Sequence, residues 1–107
     1  MPNTYKNAKV DLTTTNATTV LTTPVGSTNI IKSILASEDS GNADTITVTI
    51  TDTASAVFSL FKVKAVGANT TVELLTQPLV LQDSEILKAT AATANRLHLV
   101  VSYLEIS

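Results

Sequence analysis

One histidine, nine Asp and Glu residues and no cysteine bound the chemistry open to this chain. His98 stands in the run Leu97-His98-Leu99-Val100-Val101. In an extended backbone its ring lies on the face opposite Leu97 and Leu99. Nucleophilic catalysis needs a hydroxyl or thiol held against such a ring and an acid behind it. No local signature marks that arrangement, so a partly exposed or interfacial histidine is expected. Zinc would need three carboxylates beside His98, an uncommon ligand set. The acids are Asp11, Glu38, Asp39, Asp44, Asp52, Glu73, Asp83, Glu85 and Glu105. Nearly all fall at turns or strand ends, and no pair is placed across a cleft as glycoside chemistry requires. Glu73 and Glu105 stand mid-strand among apolar neighbours. Both are expected on the solvent face of an edge strand, where a lone charge discourages unwanted pairing. The segment Glu38-Asp39-Ser40-Gly41-Asn42-Ala43-Asp44 offers oxygens of the kind calcium takes, without EF-hand spacing. A solvated loop is the expectation there. The chain thus reads as a non-enzyme with no catalytic residue, cofactor or metal.

The elements around these residues follow from composition and pattern. A length of 107 residues suits one domain. Hydrophobic residues make up 44% and charged residues only 15%. Threonine covers much of the remaining surface, and its branched Cβ favours strands. The net charge is -2. Without a cationic cluster there is nothing to displace the counterions of a nucleic acid. No apolar run reaches the ~20 residues of a membrane helix. The first residues lack a signal-peptide core, so use without export is expected. The sequons at Asn16 and Asn69 are then expected to stay unmodified.

The clearest element is Thr45-Ile46-Thr47-Val48-Thr49-Ile50-Thr51. Its strict alternation gives one apolar and one polar face, a half-buried strand. Similar patterns predict strands over 10–15, 18–23, 29–37, 57–66, 70–75, 79–81, 86–90 and 96–106. The polar loop 37–44 should join strand 29–37 to 45–51 as a hairpin. In 57–66, Phe58, Leu60 and Phe61 break alternation, which a β-bulge would explain. The spacing predicts an all-β fold: an antiparallel two-sheet β-sandwich, jelly-roll-like, of about eight strands. Its core is expected to hold Ile46, Val48, Ile50, Phe58, Leu60, Leu74, Leu81, Leu97, Leu99 and Val101. Residues 1–8 read as a polar N-terminal arm, and 9–107 as the single β-sandwich domain.

Strands 29–37 and 57–66 carry apolar groups on both faces, yet a sandwich buries only one face of each. The second face needs a cover, because an open patch would exceed what monomers expose. Ile30, Ile31, Ile34, Leu35, Phe58 and Phe61 of these strands, with Tyr5 of the N-terminal arm, a segment that would lie on a neighbour in an assembly, are therefore the expected subunit interface. The expected partner is the chain's own copies in a closed homo-oligomer, a trimer or a ring.

Three stretches carry a resemblance: Leu12-Thr13-Thr14-Thr15, Thr19-Val20-Leu21-Thr22-Thr23-Pro24 and Ile30-Ile31-Lys32-Ser33-Ile34. Leu79-Val80-Leu81 and the C-terminal run from Asn95 to Ile106 extend it. The chain resembles small structural proteins of tailed bacteriophages, especially those of marine bacteria and cyanobacteria. The resemblance rests on strand and turn patterns, not on catalytic signatures. It implies a β-sandwich virion component present in many copies, assembled in the host cytoplasm. A capsid decoration (cement) protein contacting the major capsid protein fits the physical reading. A neck, tail or fibre-attachment part contacting another virion protein is the alternative. A carbohydrate or host-surface binding module is the alternative of another class, although no Trp supplies a stacking platform. Neither nucleic acid nor membrane is an expected partner.

Overall fold

A computed structural model describes residues 3–107. The described chain is all β. Its nine strands are β1 (Asn3–Leu12), β2 (Thr18–Thr22), β3 (Thr28–Glu38), β4 (Asp44–Thr51), β5 (Val57–Val66), β6 (Thr71–Glu73), β7 (Leu79–Leu81), β8 (Ile86–Ala91) and β9 (Leu97–Ile106). They form two antiparallel sheets packed as a β-sandwich. One sheet runs β1-β9-β3 and ends in β6 and β7, which pair successive parts of β3. The other runs β2-β8-β4-β5. This is the strand order of a jelly roll, with one strand broken into β6 and β7. The two pieces correspond to the segments 70–75 and 79–81 that the sequence separates around Pro78.

Alternation decides which side chains meet between the sheets. Ile46 and Val48 of β4, Leu87, Ala89 and Ala91 of β8, and Leu97, Leu99 and Val101 of β9 are buried every second residue. Leu74 and Leu81 join them as expected, and Ile50 and Leu60 pack at the margin. Phe58 does not. It is opposite Ile50 on the edge strand β5 and is 56% exposed.

Loop 38–44 does not close a hairpin. β3 lies in the first sheet and β4 in the second, so the loop crosses between layers. Both ends of the crossing are buried carboxylates, Glu38 and Asp44. The polar segment expected as an arm is structured over its described part. Asn3–Leu12 is one ten-residue strand, in unbroken register with β9 from Asn3 opposite Ile106 to Leu12 opposite Leu97. Its backbone needs β9 as a template, which is why side-chain polarity did not reveal it. Met1 and Pro2 of that arm lie outside the described residues.

The irregularity expected in β5 is present. The β4–β5 register shifts on either side of Val48. Val63 sits at φ 53°, and its N–H donates to Thr47 Oγ1 at 3.0 Å. A β-branched residue in the left-handed region costs about 1–2 kcal/mol. Val63 is 61% exposed, so its side chain returns little burial. Val63→Asn is expected to raise stability by about 1 kcal/mol, because asparagine tolerates this backbone. The urea midpoint measures it, and an unchanged or lower midpoint counts against the strain.

Candidate subunit interface

The outer face of the β1-β9-β3-β6/β7 sheet is built in rows, because cross-strand partners point to the same side. One row reads Tyr5, Leu104, Ile30, Val80, across all four strand positions. It is apolar from edge to edge, with Tyr5 77% and Val80 51% exposed. A second row reads Lys9, Val100, Leu35, Glu73. Between them lies a polar row of Asn7, Ser102 and Ser33. A further row reads Asp11, His98, Ser37, Thr71.

A bulge in β3 sets which residues reach this face. The β3–β9 register shifts between Ile31 and Ser33, leaving Lys32 as the extra residue. One extra residue reverses the phase of alternation. Asn29 and Ile31 therefore point inward before the bulge, and Ile34, Ala36 and Glu38 after it. Ile31 and Ile34 are fully buried core residues and cannot form an interface. Ile30 and Leu35 do belong to the outer face. The two-faced apolar pattern of this strand thus has two causes, a phase change and a partly apolar outer face.

Glu73 stabilises the bulge. Its carboxylate accepts from Ser33 Oγ at 2.5 Å, from the Ile34 N–H at 2.8 Å and from the Leu75 N–H at 3.3 Å. It is an exposed acid on an edge strand, as expected. Glu105 is not, since β9 is a central strand. It points between the layers near the end of the sandwich and pairs with Lys6 Nζ at 2.9 Å.

Phe58 and Phe61 lie elsewhere. β5 and the β6–β7 connection flank an open groove of about 420 Å³, lined by Leu60, Phe61, Leu74, Leu75, Pro78 and Leu79 together with the polar Lys64, Glu73, Thr76 and Gln77. Phe61 is half-buried at this groove. Val57, Phe58 and Val63 of the same edge strand are exposed. The seven residues expected as one interface therefore divide three ways. Tyr5, Ile30 and Leu35 share a sheet face, Phe58 and Phe61 share an edge strand, and Ile31 and Ile34 are core.

His98 occupies one corner of the outer face. Its Nδ1 lies 3.8 Å from Asp39 Oδ2, an acid whose side chain is 76% exposed. Exposed pairs of this kind contribute little. Ser37 is its row neighbour, but the Ser37 hydroxyl is 2.9 Å from Thr71 Oγ1, and no hydrogen bond joins it to His98 among the described residues. A serine, a histidine and an aspartate thus meet without the geometry of a triad.

In loop 38–44, Glu38 turns its oxygens onto its own backbone. They accept from the N–H groups of Ser40, Gly41 and Asn69 and from the Ser40 hydroxyl. Burial alone would raise this acid, but the hydrogen bonds from Ser40, Asn69 and Gly41 prevail and lower its pKa to about 2. Asp44 accepts from the Thr93 N–H at 3.0 Å. The two buried acids are structural clamps. No group of three or more acids and histidines suited to a metal occurs among the described residues.

No family model matches the chain, and the search of curated proteins found no match.

Proposed function

We propose that the protein is a structural component of a tailed-bacteriophage virion, most concretely a capsid decoration protein that bridges subunits of the shell. One observation supports the reading most: two apolar surfaces, on adjoining sides of one small sandwich. The row Tyr5-Leu104-Ile30-Val80 lies on a sheet face, and Phe58, Phe61 and the groove lie along an edge. A subunit that joins its own copies to the major capsid protein needs two such surfaces. The jelly-roll order adds weight only by analogy, since a fold carries many functions. The resemblance to small phage structural proteins points the same way. In this reading the sheet face meets another copy, and the β5 side meets the shell.

Quantitative mass spectrometry of purified virions tests it. Hundreds of copies per particle, comparable with the major capsid protein, are expected. About six to a few dozen would move the protein to the neck or tail. Absence from the particle would overturn the reading.

A further inference from the structure

We propose that two copies of the chain pack outer face to outer face across the β1-β9-β3-β6/β7 sheet, related by a two-fold axis parallel to the strands. The proposal rests on reading that face as a subunit contact, and it supplies the symmetry and the residues. Face-to-face sheets keep their strands within about 30° of each other. A two-fold along the strands then places β1 over β6/β7 of the other copy and β9 over its β3. Every row meets itself in reverse order. Tyr5 faces Val80 of the second copy, and Leu104 faces its Ile30. Lys9 faces Glu73, and Val100 faces Leu35. Apolar meets apolar, and the charges at opposite ends of one row meet as opposites. A two-fold across the strands would instead set Tyr5 over Lys9 and Val80 over Glu73.

The size is adequate. Four strands about 4.8 Å apart and some nine residues long present roughly 600 Å² in projection. The corrugated accessible surface is larger, close to the ~800 Å² per partner of a standard interface. Among the described residues, the one opposing group is Lys32. As the extra residue of the bulge it lies beside the polar middle row, on β3 next to the axis. The two copies of Lys32 therefore approach each other. Lys32→Gln should tighten the dimer about fivefold, the effect of removing one like-charge contact near a surface.

The chain has no cysteine, so introduced thiols report without background. Tyr5→Cys and Val80→Cys variants of the full chain are made separately. An equimolar mixture is expected to cross-link into dimers with a bis-maleimide of about 8 Å reach, a span comparable with the ~10 Å between stacked sheets. Each variant alone should not cross-link, since like positions lie about three strands apart laterally, roughly 14 Å, in addition to the gap between sheets. Sedimentation of the unaltered protein should show a dimer, and Tyr5→Lys or Val80→Lys should shift it to a monomer with the melting temperature of the monomer retained. A trimer, self-cross-linking of either single variant, or a weaker Lys32→Gln dimer overturns the pairing. A protein that is monomeric in solution but abundant in virions overturns the two-fold and leaves the virion reading standing. A dimer absent from virions does the reverse.

Discussion

Ile34→Asp is expected to leave no folded protein at 25 °C, whereas Ile30→Asp folds and loses self-association. The two positions are four residues apart on one strand. Ile34 is fully buried and stands opposite Val101, itself fully buried. Removing the isoleucine costs about 2–5 kcal/mol in lost burial and cavity. The carboxylate adds several kcal/mol, because it would sit among apolar groups with no partner. Together these match the ~5–15 kcal/mol that holds a domain of this size. Ile30 precedes the bulge and lies between Leu104 and Val80 on the outer face. An aspartate there keeps its water, and the fold loses about 1 kcal/mol or less. Far-UV circular dichroism with thermal melting separates the two outcomes. A folded Ile34→Asp variant with an unchanged melting temperature would place the bulge elsewhere and undo the division of core from interface.

Glu38→Gln is the second large effect, and it should depend on pH. The ionised carboxylate receives four hydrogen bonds that fix the crossing between the two layers. Its pKa in the folded protein is about 2, against 4.5 for an unperturbed glutamate. The folded value is depressed, so the contribution to stability is complete above about 4.5 and is lost as pH falls toward about 2. Glutamine removes one acceptor and sets an NH₂ among N–H donors. At pH 7 the melting temperature should fall by roughly 10 °C. The gap between wild type and variant should narrow as pH is lowered from about 4.5 toward 2. A gap constant with pH would mean that the charge is not what the loop uses.

The legible parts of this fold were those in which side chains carry the signal alone. The Thr/Ile alternation of β4 reports its burial because one face meets the core and the other meets water. The misfit of Phe58, Leu60 and Phe61 reported the bulge of β5 for the same reason. Two other features depend on distant partners. The strand over residues 3–8 depends on backbone pairing with β9, residues 97–106, and no local pattern reveals a partner so distant. The loop 38–44 resembles a hairpin turn because polar residues mark any change of direction. Whether the chain turns back in its own sheet or crosses to the next depends on where Glu38 and Asp44 find their N–H donors. For Glu38 these include Asn69, and for Asp44 it is Thr93.

The candidate interface shows the same division. Sequence alone determined that this is an all-β chain whose strands 29–37 and 57–66 carry apolar groups on both faces, but it could not divide Ile30, Ile31, Ile34, Leu35, Phe58 and Phe61 between core and surface. It also determined that His98 faces away from Leu97 and Leu99. Tertiary structure decided the rest. A one-residue bulge at Lys32 sends Ile31 and Ile34 inward and Ile30 and Leu35 outward, since strand alternation has a period of two and a single insertion reverses it. Register with β1, β9 and β7 then assembles Tyr5, Leu104, Ile30 and Val80 into one row from four distant segments. Alternation is a property of neighbouring residues and can be read along the chain. A row across a sheet is a property of pairing, and pairing exists only once the chain has folded.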